Sequence, residues 1–266
     1  MVVDRRPPHA DRAAFVSLTM YPFAALRPAW ERLWAAVHEL VPWMPSGLRW
    51  SGTVLDHSSD PACALVHACG WPVVTVLRDK VTVVGAFDLD HPGAEGHHYC
   101  STLISASEPG CSAWTDDCTA AVNGDDSLSG WISLACAAGG TWPGRVLSTG
   151  AHLESVRAVG DGRAGVASID STSWAHIGRL FPELARRVHV VGQGPRVPSP
   201  PLVVPVGTPQ RCIDDIRQAM ARALADPEID AVRGELLVDG FVPLDDVDYE
   251  PILGLAPDDR SRRINR

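Results

Sequence analysis

Lysine is almost missing from this chain. Lys80 is the only one, against 22 arginines, and 32 acidic residues bring the net charge to −9. A phosphate backbone needs clustered cations, so nucleic acid is not expected as a partner. Long apolar runs are missing too. Stretches such as Pro72–Leu77 fall far short of the roughly 20 residues of a membrane span. The seven cysteines (63, 69, 100, 111, 118, 136 and 212) are odd in number and lack zinc spacings, which fits free thiols better than a disulfide framework. Met1–Arg12 carries early charge and no apolar core, so a cytoplasmic location is expected, or a periplasmic or lipoprotein one if a leader has been removed.

The remainder reads as a globular chain of 266 residues with 45% hydrophobic and 21% charged residues. Ala14–Met20 reads as a strand. Phe23–Leu40 has helical spacing at Leu26, Trp30, Leu33, Trp34 and Val37. Pro61–Cys69 reads as a short apolar helix, and Pro72–Leu77 and Val81–Phe87 as strands around a turn at Arg78–Lys80. Tyr99–Ser105 is a further strand. From Thr119 strands and helices alternate: strands at Thr119–Asn123, Arg145–Ser148, Ala164–Ile169 and Arg187–Val191, helices at Ser129–Ala138, His152–Val159 and Ser173–Leu180. That alternation predicts a parallel α/β unit. After the proline-rich Gly192–Pro201 come a strand at Leu202–Val206 and helices at Arg211–Leu224 and Pro227–Leu237. The two ends lack complete cores of their own. The reading is therefore a discontinuous lobe 1 (1–104 plus 198–266) with an inserted lobe 2 (105–197), joined by two hinge crossings near Ser101–Ser107 and Gly192–Pro201.

Three segments carry candidate chemistry. Ala121–Trp131 (AVNGDDSLSGW) is a strand end, a polar turn and a helix start. Ser127 and Ser129 offer hydroxyls, Gly130 permits close approach, and the amides of Gly130–Trp131 with the helix dipole favour an anion; an ordinary capped helix is the alternative. Next, Gly150 and His152 open a helix, and a strand delivers Asp170 at its end. There the alternatives are a surface histidine and a helix-capping aspartate. In Ala68–Thr75, Trp71 either walls a pocket or sits in a core, and Cys69 becomes a nucleophile only if a base or a helix N-terminus lowers its pKa. Tyr21 and Tyr99 stand at strand ends. His97 and His98, beside Glu95, point to opposite faces if they lie on a strand, which argues against a shared metal. P-loop, G-x-S-x-G and H-E-x-x-H motifs are absent. The G-x-G-x-x-G string at Gly160–Gly165 leaves a helix and enters a strand, the reverse of a dinucleotide site.

The ordered set Met20-Tyr21-Pro22, Cys69-Gly70-Trp71-Pro72, Tyr99-Cys100-Ser101, Asn123…Asp126-Ser127-Leu128-Ser129-Gly130-Trp131, then His152…Ser155…Gly162-Arg163-Ala164…Ile169-Asp170 resembles the phosphate/phosphite/phosphonate-binding proteins of ABC transporters. The resemblance implies a two-lobed type 2 periplasmic-binding-protein-like α/β fold, each lobe a mostly parallel sheet flanked by helices. It implies that a small oxyanion-bearing metabolite (phosphate, phosphonate or carboxylate) is bound in the interlobe cleft by Ser127, Ser129, Gly130 and His152. Leu128 stands where relatives often carry a threonine hydroxyl. Trp71 or Tyr21 would supply an aromatic contact, Tyr99 would shape the pocket, and Asp170 would meet an amino group. No cofactor or metal is implied, and an ABC permease is a partner only if the chain is exported. The same fold also includes cytoplasmic enzymes. The alternative is thus elimination or rearrangement of a small anionic metabolite, with His152, Asp170, Tyr21 or Cys69 as acid–base or nucleophilic groups.

Overall fold

The structure, a computed structural model, describes residues 14–108 and 117–256. The readings made for Met1–Arg12, Cys111 and the tail from Pro257 concern residues outside that range. In chain order the elements are β1 (Phe15–Ser17), α1 (Arg27–Leu40), α2 (Val54–Ser59), β2 (Cys63–His67), α3 (Gly70–Val74), β3 (Val81–Leu89), β4 (Ala94–Glu95), β5 (His98–Tyr99), β6 (Ser101–Ser105) and β7 (Thr119–Val122). A π-type turn at Leu128–Ile132 leads into α4 (Ser133–Ala137), followed by β8 (Arg145–Ser148), α5 (His152–Gly160), β9 (Val166–Asp170), α6 (Ser171–Leu180), α7 (Pro182–Ala185) and β10 (His189–Gln193). The rest is β11 (Val197–Pro198), β12 (Pro201–Pro205), α8 (Gln210–Leu224), α9 (Asp230–Leu236) and β13 (Val238–Pro243), with a 3-10 stretch at Asp246–Leu255.

Two compact units result. The first joins the described residues up to Asp90 with Pro198–Glu250; the second joins His91–Val197 with the segment beginning at Pro251. The chain therefore passes between units three times, where the sequence led us to expect two crossings. Residues 91–104 go with the second unit because β6 is hydrogen-bonded between β9 and β10 there. After Glu250 the chain rejoins that unit, and the Cys136 thiol donates to the Leu255 carbonyl at 3.5 Å.

The first unit is a five-stranded sheet in the order β1-β2-β12-β3-β13. Only β1–β2 is parallel; β12 and β13 run antiparallel to their neighbours. Helix α1 turns Ala29, Trp30, Leu33, Trp34 and Val37 inward, the 3.6-residue stripe read from sequence. Helix α8 does the same with Ile213, Ile216, Met220 and Leu224 and packs on α1. Helix α2 begins with a capping box, Thr53 Oγ1 accepting from Asp56 N and Asp56 Oδ2 from Thr53 N, both at 3.1 Å. At Gly85, with φ +155°, a Cβ would lie 2.4 Å from both the Phe241 ring and the Val242 carbonyl, so only glycine lets β13 close on β3.

Two elements of this unit are exchanged relative to the sequence reading. Cys63–His67 is a strand, not part of a helix, and Gly70–Val74 is a helix, not a strand. Short apolar runs have no decisive period. The first run lies between β1 and β12 and is buried on both faces, as an inner strand must be. In the second, Pro72 lacks the N–H a ladder needs but fits a helix's first turn, and Thr75 Oγ1 closes that turn on the Trp71 carbonyl at 2.7 Å.

The second unit's sheet runs β10-β6-β9-β7-β8. The β7–β8 and β7–β9 pairs are parallel, while β6 is antiparallel to both β9 and β10. Both sheets are thus more mixed than the mostly parallel sheets expected; strands entering from a distant chain segment run against the local βαβ direction. A small three-stranded sheet, β11-β5-β4, completes the unit. The six described cysteines are free thiols, and burial pushes the Cys63 thiol up to about 12.

In the first core, His67 is 1% exposed and ringed by Tyr21, Trp30 and Phe87 at centroid distances of 5.5, 6.0 and 5.2 Å. Desolvation pushes its pKa down to about 3, against a bond to the Pro200 backbone that acts the other way. The folded value is depressed, so the unfolded chain takes up the proton first. Stability is full above the unfolded pKa of 6.5 and is lost as pH falls from there toward about 3. We expect wild type to lose about 1.4 kcal/mol per pH unit more than His67→Phe over that window, measured by urea unfolding at stepped pH.

Candidate anion-binding site

The site is built at the end of β7. Val122 is the last strand residue, and its carbonyl accepts from Thr149 N at 2.8 Å and from Thr149 Oγ1 at 2.9 Å. Thr149 Oγ1 also meets Ser155 Oγ at 2.6 Å. This fixes the start of α5, and with it His152, beside the turn that follows β7. On that turn Ser127 is the N-cap, and its Oγ accepts from Gly130 N at 2.9 Å. Ser129 Oγ then lies 2.9 Å from His152 Nε2. The Ser129 carbonyl accepts from Ser168 Oγ of β9 at 2.5 Å. Ser127, Leu128, Ser129 and Gly130 are all buried.

The amides differ from expectation. Gly130 N is taken by Ser127 Oγ, and Trp131 N donates to the Ser127 carbonyl at 3.1 Å. The amides left without an intrahelical acceptor are those of Leu128 and Ser129. Leu128 therefore offers an N–H at this helix start even though it lacks a hydroxyl. Gly130 is required by close approach: a Cβ there would stand 1.8 Å from Asn123 Oδ1 and 3.0 Å from Ser127 Oγ. His152 is partly exposed but its Nδ1 is buried without a hydrogen-bond partner. Burial pushes its pKa down to about 4, so the ring is neutral at pH 7.

Of the residues singled out in the sequence, Ser127, Ser129, Gly130 and His152 come together. Asp170 is 0% exposed at the end of β9, pairs opposite Ser101, and caps α6 by accepting from Ser173 N at 2.9 Å. That is the capping alternative left open above. Tyr99 is buried in β5. Tyr21 and Trp71 belong to the first unit: Tyr21 is buried edge-on to His67, and Trp71 is half-buried on α3. Cys69 is half-buried at the N-cap of α3. His97 lies in the turn between β4 and β5, so its ring stands 4.2 Å from that of His98 and not on the opposite face. Glu95 pairs with Arg196 at 3.1 Å. Among the described residues no three His, Cys, Asp or Glu side chains come together as a metal-binding group, and no helix is long and apolar enough to cross a membrane.

Sequence reasoning missed Asn123, Ser168, Thr149 and Ser155 as site-shaping groups. Asn123 stood within the resemblance, next to the strand end. Ser155 stood within it too, six residues from its partner Thr149; the bonds of Thr149 to Val122 and of Ser168 to Ser129 join segments distant in the chain, and nothing local marks them.

This arrangement defines a class. The chain has the α/β fold of two-lobed type 2 periplasmic binding proteins. Residues 135–249 match the family described as ABC transporter, phosphonate, periplasmic substrate-binding protein. Among solved structures it is similar to a binding protein component of an ABC phosphonate transporter from Pseudomonas aeruginosa, at 18% identity and TM-score 0.75, covering 91% of this chain and 84% of that one. It is similar to PhnD1 from Prochlorococcus marinus in complex with methylphosphonate, at 10% identity and TM-score 0.69, covering 91% and 96%. MatC from Rhodopseudomonas palustris with bound malate aligns at 13% identity and TM-score 0.56, covering 91% and 94%. No curated protein matches the chain in sequence. The matched family is described as periplasmic, and these likenesses give the cytoplasmic expectation no support.

Gly130→Ala is expected to destabilise the protein by about 1–3 kcal/mol through overpacking against Asn123. Asn123→Ala in the same chain should restore most of that loss. Urea denaturation of the two variants and wild type checks this; an unchanged midpoint in Gly130→Ala would show that the contact is loose.

Proposed function

We propose that this chain is a substrate-binding protein for a small oxyanion, a phosphonate, phosphate or carboxylate. The observation that carries the reading is the helix start at Ser127–Ser129, which has two amides without an intrahelical acceptor and a serine hydroxyl paired with His152. A helix N-terminus favours negative charge. Ser129 and the amides of Leu128 and Ser129 hold the anion, with Ser127 fixing the turn and His152 beside it. Tyr21, Trp71 and Tyr99 are proposed contacts for the rest of the ligand on the strength of the family resemblance, while Asp170 is committed to capping α6. The known relatives' names support this class: one is bound to methylphosphonate and one to malate. In a transporter the protein would hand this ligand to an ABC permease.

Calorimetric titration with methylphosphonate, inorganic phosphate and malate tests the reading. At least one should bind, and Ser129→Ala should weaken it by roughly 10- to 100-fold, the loss of one hydrogen bond to a charged group. Equal affinity in Ser129→Ala and wild type would move the anion elsewhere.

A further inference from the structure

Helix α8 buries one face against α1 and the sheet and leaves a polar stripe on the other. The stripe is Arg211, Asp215, Gln218 and Arg222, at the spacing of one helix face, and Asp226 continues it one residue beyond the C-cap. Asp215 is half-buried and the other four are exposed. Read along the chain, the charges run plus, minus, neutral, plus, minus. Read backwards they run minus, plus, neutral, minus, plus, so the stripe is its own complement. We infer that this stripe is a homodimer interface, in which α8 packs antiparallel on α8 of a second copy across a two-fold axis beside Gln218.

The pairing follows from the symmetry. In a two-fold contact residue i meets j and j meets i. Asp215 and Arg222 lie equally far on either side of a point between Gln218 and Ala219, and so do Arg211 and Asp226. Each carboxylate therefore meets a guanidinium of the second copy, and each pair occurs twice. Among the described residues none of these four charges is in an ion pair within the chain. Arginine four residues before aspartate is the poorer order for a pair along one helix. Charges off the stripe are engaged: Asp214 accepts from Gln210 at 2.9 Å, and Arg217 donates to the Val84 and Leu244 carbonyls at 2.8 Å and to Asp245 at 2.6 Å. Beside the stripe lies a cavity of about 350 Å³ with Leu40, Trp43, Asp215, Gln218 and Arg222 in its lining. Arg222 of the second copy fits there as a guest, its guanidinium on the Asp215 carboxylate and its stem along the Trp43 indole. Leu40, 37% exposed, is covered by the same contact. Antiparallel helices also oppose their dipoles. Helix α8 has 15 residues and is about 22 Å long, so the contact is smaller than the roughly 1,600 Å² of a standard interface and the dimer is weak, held chiefly by charge.

Sedimentation equilibrium of the full chain, at concentrations up to about 0.5 mM, tests this. Wild type is expected to form a dimer that added salt dissociates. Asp215→Arg and Arg222→Asp each turn two attractions into two repulsions, and each is expected to weaken association by about tenfold or more. Mixing the two variants in equal amounts sets a positive stripe against a negative one, and is expected to bring association back to within about threefold of wild type. The chain carrying both substitutions is expected to do the same. Circular dichroism melts check that each variant is folded, as surface charge changes allow. A monomer at every concentration overturns the inference and leaves the cavity to a small molecule or a different protein. A dimer that neither single variant weakens, or a mixture that stays monomeric, puts any interface elsewhere and overturns it as well.

Discussion

The Val122 carbonyl accepts two hydrogen bonds from one residue, the amide and the hydroxyl of Thr149. Those bonds join the end of one parallel strand to the start of the helix that follows its neighbour. Everything distinctive about the site sits within a few residues of that junction. Ser127 and Ser129 follow Val122 by five and seven positions, and His152 follows Thr149 by three. The two side chains meet because the two chain segments are already clamped together. A parallel pair supplies this arrangement naturally, since β7 and β8 end on the same side of the sheet and both lead into helices there.

The junction also shows how the proposed site could accommodate an anion on an acidic chain with one lysine. Backbone amides and hydroxyls carry no net charge and need no counter-ion when the site is empty. A neutral imidazole, kept so by burial, adds directionality without adding charge. The arginines serve elsewhere, in exposed ion pairs such as Arg187–Asp161 and Arg233–Asp239. Selectivity in such a site comes from where hydrogens point, which a count of charges does not reveal.

Much of this was legible in the sequence. The alternation after Thr119 and the strand–turn–helix at Ala121–Trp131 have strong local signatures, and α1 and α8 show clear helical stripes. What was not legible depends on contacts between distant segments. Cys63–His67 is a strand because β12 pairs with it from about 140 residues away, and its own apolar run is equally compatible with a helix. β13 was not foreseen, because Val238–Pro243 is interrupted by Gly240 and needs the approach to Gly85 to form. The antiparallel strands of both sheets have the same cause. Asp170 and the amides of Gly130 and Trp131 were read as ligand contacts near a helix start, but the structure partners them within the protein.

The strand order of the first unit has a bearing on how the chain is made. β12 lies between β2 and β3, so those two strands have no direct pairing and cannot form a continuous sheet until residues 201–205 have been synthesised. The five-stranded sheet of the second unit is complete in sequence by Gln193. During synthesis from the N-terminus, the inserted unit therefore has all its strands before the unit that begins the chain. In the interval, the inner edges of β2 and β3 are open, and open edges are the part of a nascent protein most in need of protection from the wrong partner.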